Sequence, residues 1–174
     1  MNLGLLAIRV VVGLLFVGHG AQKLFGWFGG QGPAGTGAFF ESLGLRPGRQ
    51  IALAAGAAEI AGGILFAAGL VTPLGAALIS AVMLVAIWTV HRSNGLWITD
   101  GGFEYNLVLL ALAFGVSGIG AGAWSLDRVL GLDLAGAGWA LAELALAGIG
   151  AILALAFARL STQRRFQRAH PARG

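Results

Sequence analysis

Long apolar runs, broken by short glycine-rich or charged stretches, dominate this chain and set its architecture before any motif is considered. A bilayer core of about 30 Å needs roughly 20 apolar residues of helix, because each residue of helix rises about 1.5 Å. Five stretches meet or approach that length: 3–25, 50–70, 73–90, 105–121 and 136–158. The pattern predicts an all-α fold, a polytopic bundle of membrane helices whose main partner is the lipid bilayer.

The interruptions carry their own signals. Residues 26–48 open on Gly29-Gly30-Gln31-Gly32-Pro33, and Phe39, Phe40, Leu43 and Leu45 then stand beside Glu41 and Ser42. That mixture predicts a short amphipathic piece lying in the membrane interface. Trp27, Phe28, Trp88 and Trp97 are expected as interfacial aromatics. Pro73 after Thr72 predicts a tight turn that opens the third long helix, at a position where proline is tolerated. Small residues one turn apart, Ala58 with Gly62, Ala111 with Gly115 and Gly118 with Gly122, are expected to bring backbones together inside the monomer.

Composition agrees, with 57% hydrophobic and 10% charged residues and a mean hydropathy of +0.85. A net charge of +4 and a pI near 11.1 would suggest nucleic acid in a soluble protein. Here Arg159, Arg164, Arg165, Arg168 and Arg173 cluster behind the last apolar run, with no aromatic-basic platform. They read as a topology signal and a contact for anionic lipid, not a nucleic-acid site. With five spans, Lys23, Arg46, Arg49, Arg92 and these five arginines share a side, and Arg128 lies opposite. The count predicts a multi-pass protein of the inner (plasma) membrane, N-terminus outside and basic tail cytoplasmic. The first run lacks a basic leader and a cleavage site, so it is read as a retained helix. There is no cysteine, so any redox role must use a bound cofactor or a partner.

An ionisable group within a span costs about 2.5 to 3.5 kcal/mol on insertion scales, so each needs a partner or a function. His19, Gln22 and Lys23 share one face of the first helix, and Glu59 lies within the second. His91, Arg92 and Asn94 close the third, while Asp100, Glu104, Tyr105 and Asn106 open the fourth at the same end. One polar pocket is the economical reading. A proton relay of Glu59 with His19 or His91 could then serve a quinone head group, with Gln22, Lys23, Glu104 and Tyr105 as a quinone or anion pocket. The plain alternative is that Lys23 snorkels, Glu59 ties two helices and His91 caps a helix end. No HxxxH or ExxH pair exists, so no metal site is expected. Arg9 and Glu143 enter from the opposite end and are expected to form a buried ion pair, the alternative being that Arg9 snorkels to the outer surface. The glycine-rich loop follows a helix and not a strand, which argues against a dinucleotide fingerprint; a flexible lid remains its functional reading.

Several of these segments together resemble the DoxX family of small bacterial membrane proteins. They are Arg9 with Gly13, His19-Gly20-Ala21-Gln22-Lys23-Leu24-Phe25-Gly26, Phe39-Phe40-Glu41-Ser42-Leu43-Gly44-Leu45, Glu59, His91-Arg92-Ser93-Asn94-Gly95, Gly101-Gly102-Phe103-Glu104-Tyr105 and Ser125-Leu126-Asp127-Arg128. The resemblance implies a DoxX-like membrane domain over 1–130 with a four-helix core. This chain adds a further transmembrane helix over 131–160 and a basic tail, expected to be disordered, over 161–174. It also implies a subunit or accessory of a membrane redox system, quinone-linked and tied to thiosulfate or oxidative stress, working with a membrane or soluble redox partner. On that reading any enzymatic role is that of a quinone-linked oxidoreductase subunit, with no covalently bound cofactor. Two other readings stay open: a non-enzymatic scaffold anchoring a partner enzyme, and a small transporter.

Overall fold

The computed structural model describes residues 2–169, with side chains described to Thr162. Among them the chain is all-helical. Helix α1 (Asn2–Phe25) leads through a glycine turn to α2 (Gly32–Ser42), then α3 (Gly48–Ala68) and α4 (Thr72–Ala86). A π-helical turn (Ile87–His91) and two short 3₁₀ turns lead to α5 (Glu104–Ile119), the single-turn α6 (Leu126–Val129) and α7 (Ala137–Ala169). Helices over Asn2–Phe25, Gly48–Ala68, Thr72–Asn94 and Ala137–Thr162 are long and apolar enough to cross a membrane. The fourth expected span, α5, has 16 residues, a rise of about 24 Å.

Although short, α5 runs the length of the bundle. Glu104 N donates to Leu96 O at one end, and Gly118 O accepts from Gly136 N at the other. The chain therefore passes along the bundle five times. One end gathers the start of α1, the α3–α4 turn, α6 and the start of α7, tied by bonds such as Ala123 N to Asn2 Oδ1. The other holds α2 and the loop between α4 and α5.

The core is built by four helices: Val12 and Phe16 of α1, Phe66 of α3, Ala76, Ile79 and Met83 of α4, and Leu109, Ala113 and Val116 of α5. Helix α7 packs on the flank formed by α4 and α5. Its buried face is small, with Ala140, Ala147, Ala151 and Ala158, whereas Leu141, Leu144, Ile149, Ile152 and Leu153 point outward. An apolar stripe of that extent is soluble only in hydrocarbon, and this protein is a multi-pass membrane protein.

Glycines set how closely the first two long helices approach. A Cβ on Gly63 would lie 2.5 Å from Gly13 O, and one on Gly20 would lie 2.6 Å from Gly56 O. Two glycine contacts, seven residues apart on each helix, thus form an α1–α3 seam in which backbone meets backbone. The spaced small residues expected from the sequence behave unevenly. Gly62 does pack closely, against Leu78 and Gly75 of α4, but Gly115 faces open space.

Turn chemistry explains the short α3–α4 link. Gly69 adopts a left-handed φ of 62° as the helix stop. Leu70 N donates to Leu65 O and Gly69 N to Phe66 O, the paired bonds of a Schellman ending. Pro73 then sits in the first turn of α4, as expected. Two boundaries differ from the sequence reading. The regular part of α4 stops at Ala86, where the π turn takes over. Helix α7 also continues to Ala169, past the expected boundary at 160. Nothing between 160 and 169 is glycine or proline, and Pro171 is the first residue that cannot extend a helix. The side chains of Arg164, Arg165 and Arg168, and all of Arg173, lie outside the described residues.

The seam predicts a contrast between two single-methyl additions. Gly63→Ala is expected to lower unfolding stability in detergent by about 1–3 kcal/mol through overpacking. Gly115→Ala should be neutral or stabilising, by up to about 1 kcal/mol from helix propensity. Equal effects of the two, read by denaturant or thermal unfolding, would contradict the backbone-to-backbone seam.

Candidate functional site

Below the Gly20–Gly56 contact the two seam helices bury a charge pair. Lys23 Nζ lies 2.7 Å from one oxygen of Glu59 and 2.9 Å from the other. Glu59 is buried and the Lys23 side chain is 20% exposed. A helical side chain leans toward the N-terminus of its own helix. Lys23 follows that direction, its ammonium also reaching His19 O at 3.5 Å. The lysine therefore does not snorkel outward; it turns into the bundle, where Glu59 waits.

His19 and Gln22 extend this cluster. Gln22 Nε2 donates to Phe28 O at 3.2 Å, which turns Oε1 toward His19 Nδ1 at 3.1 Å. An amide oxygen only accepts, so His19 Nδ1 is the protonated nitrogen and Nε2 is free to take or give a proton. The His19 ring is exposed on the flank of α1, edge-on to Phe16 at 6.5 Å. The site thus combines a buried carboxylate held by one ammonium with an outward-facing imidazole one turn earlier on α1, whose backbone carbonyl the ammonium also reaches.

The other residues expected in the same pocket are held elsewhere. His91 Nδ1 donates to Gly101 O at 2.8 Å, and Asn94 Nδ2 donates to the same oxygen at 3.2 Å. Glu104 accepts from Ile98 N at 3.0 Å. Tyr105 is exposed, and Asn106 is buried against Met83 Sδ at 3.2 Å. His91, Asn94 and Glu104 fasten the loop between α4 and α5 to itself, and Glu59 answers to Lys23. The polar end is thus two clusters, one on α1 and α3 and one around the α4–α5 loop.

At the α6 end the structure corrects the Arg9–Glu143 pair. Arg9 is fully buried, but its Nη2 donates to Trp124 O, and the charge within its reach is Asp127. Glu143, also fully buried, stands beside Ser80 of α4 with neither oxygen in a well-formed hydrogen bond. The reason is topological: α7 packs against α4 and α5, whereas Arg9 points to the segment that carries α6.

Asp127 is the residue that the sequence reading did not single out. One oxygen accepts from Val71 N at 2.6 Å, and the other accepts from Thr72 N at 3.1 Å and Thr72 Oγ1 at 2.6 Å. It caps the start of α4 from a distant segment, where the exposed N–H groups and the helix dipole favour an anion. It also holds Val71 at a φ of +43°, a strained value for a β-branched residue. Its own N donates to Gly69 O at 2.7 Å. Only the partner turn, more than fifty residues away, reveals this role; the local Ser125-Leu126-Asp127 pattern signals no more than the cap that Ser125 gives α6.

Comparison with known proteins agrees with the membrane fold. A family model for DoxX matches residues 4–92. The chain is 32% identical over 132 residues to a protein of Bacillus subtilis (strain 168) described as "Putative oxidoreductase CatD", covering 76% of this chain and 86% of that one. No solved structure matches the chain. The chain belongs to the DoxX family.

Two predictions follow from the charges. Lys23→Met or Glu59→Met alone should cost about 3–5 kcal/mol of stability, because each strands a buried charge, and the double substitution should recover most of it. Arg9→Leu and Glu143→Leu should instead be additive within about 0.5 kcal/mol. Thermal unfolding of the four single and two double variants in one detergent reads both cycles, and strong coupling of Arg9 with Glu143 would contradict the assignment of Arg9 to Trp124 and Asp127.

Proposed function

We propose that this DoxX-family protein is the membrane subunit of a quinone-linked redox system, in which the α1–α3 cluster moves protons while a partner enzyme supplies or removes electrons. The observation that carries the reading is the buried Lys23–Glu59 pair, with the exposed His19 one turn earlier on α1 and its carbonyl in reach of the Lys23 ammonium. Ionisable groups inside a membrane bundle more often mark a proton or substrate path than a bare tie between helices. The printed description of the Bacillus relative as a putative oxidoreductase points the same way.

A quinone, when bound, supplies the two-electron, two-proton couple. The residues present suit such a group: the exposed His19 ring lies one helical turn from the exposed Leu15, a polar atom beside an apolar surface on the flank of α1. His19 Nε2 exchanges a proton at the surface of α1. Glu59 holds a proton or a negative charge behind it, and Lys23 stabilises the charged form. With no cysteine in the sequence, thiol chemistry and electron supply belong to the partner. We take this cluster to lie on the cytoplasmic side, with the N-terminus outside, a reading supported by the lysine and arginine count.

Purification of the tagged protein from its native membranes in mild detergent, with mass spectrometry of proteins and quinones together, tests the reading. A stoichiometric redox enzyme or a retained quinone is expected. Glu59→Gln should keep the complex but lower its quinone-linked turnover by about 10²–10⁴-fold, the scale of a lost proton-transfer group. A lone, quinone-free protein, or full turnover in Glu59→Gln, would overturn it.

A further inference from the structure

We infer that the groove between the end of the α4 segment and the distal part of α7 binds one anionic phospholipid, its phosphate held by Arg92 and Arg159. The groove has a volume of about 450 Å³ and is lined by Trp88, Ile152, Leu155, Ala156, Arg159 and Leu160. It is independent of the α1–α3 cluster and lies largely on α7, beyond the residues that the DoxX model matches.

The order of chemistry along the groove argues for the occupant. Both bordering helices run toward the α2 end of the bundle. On α7, Ile152, Leu155 and Ala156 come first and Arg159 follows one turn later; on the other wall Trp88 comes first and Arg92 one turn later. The Arg92 guanidinium stacks over the Trp88 ring at 4.0 Å from its centroid, which fixes the charge at the rim. The result runs from apolar interior to aromatic belt to two cations, the polarity of a single phospholipid from acyl chain to phosphate. Arg159 makes no ion pair, and the ion pair found among the described residues is the distant Lys23–Glu59. Two guanidinium groups with their forked donors match a phosphate, and a zwitterionic lipid would gain less, because its own cation offsets the attraction. The sequence places Arg164, Arg165 and Arg168 further along α7, so charge complementarity continues past the groove.

Native mass spectrometry of the full chain in detergent, titrated with an equal mixture of phosphatidylglycerol and phosphatidylcholine of matched acyl chains, tests the inference. The expected result is one tightly retained phosphatidylglycerol. Arg92→Gln and Arg159→Gln should each weaken the preference by about fivefold, the attraction of one basic side chain to an anionic leaflet. Arg128→Gln, at the other end of the bundle, and Arg164→Gln with Arg165→Gln and Arg168→Gln should leave that single tight site in place. Gel filtration and circular dichroism establish that each variant is folded. Equal binding of the two lipids by the wild-type protein, an unchanged preference in the folded Arg92→Gln/Arg159→Gln variant, or its loss in the distal triple variant alone would overturn the proposal. Displacement of the lipid by soluble glycerophosphate would also count against it, since the groove would then be adding nothing to the headgroup.

Discussion

A charge buried in a bundle surrounded by hydrocarbon must find its opposite within the protein, and in this chain that demand is met where α1 and α3 touch. Lys23 and Glu59 satisfy each other only because the helices approach closely enough for a lysine leaning back along α1 to reach the carboxylate of α3. That approach depends in turn on Gly13, Gly20, Gly56 and Gly63, where any side chain would meet backbone. Seam and charge pair are one device: the glycines set the distance, and the pair rewards a single register of the two helices. The His19–Gln22 arrangement, with its free imidazole nitrogen, is built on top of that register.

The opposite end is fastened by a different chemistry. Asp127 satisfies the start of α4 and the strained Val71, while Arg9 reaches the carbonyl of Trp124. Here the charges replace missing backbone partners at a helix end, a structural task that lipid makes obligatory because no water is available. One end is closed by charges that serve the backbone; the other keeps a buried carboxylate and an ammonium in contact, with an exposed imidazole on the flank of α1. This asymmetry supports placing proton chemistry at the α2 end. Glu143 fits neither pattern, and the structure offers no physical account of its lack of a well-bonded partner.

Much of this was legible in the sequence because the bilayer imposes a simple rule on length and polarity. The five apolar runs became four long helices and the shorter α5, and Pro73 marked the opening of α4 as its geometry requires. The amphipathic stretch around Phe39 and Phe40 became α2. The resemblance to DoxX was confirmed by the family match over residues 4–92, which ends before the segments around Glu104 and Asp127. What failed was pairing across helices. Helical spacing says which residues share a face but not which helix that face meets. Arg9 and Glu143 therefore looked matched by depth while belonging to different neighbours, and His91 looked like a partner for Glu59 while its ring was committed to Gly101. Asp127 was hidden for the same reason, its partners lying on a turn far away in the chain. The seam glycines were obscured by abundance: among thirty glycines, spacing alone does not separate Gly63 from Gly115.

The central claim is that Lys23 and Glu59 are in direct contact in the membrane, and the distance between them can be measured there. Solid-state nuclear magnetic resonance of the protein in lipid bilayers, with ¹⁵N-labelled lysine and ¹³C-labelled glutamate, reports the dipolar coupling between Nζ of the chain's single lysine and the carboxyl carbon of Glu59. A strong coupling, as contacts of 2.7 and 2.9 Å to the two oxygens require, and its loss on Glu59→Gln are the predicted results. An uncoupled, mobile lysine would mean that Lys23 snorkels to the interface, and the site described on α1 and α3 would lose its foundation.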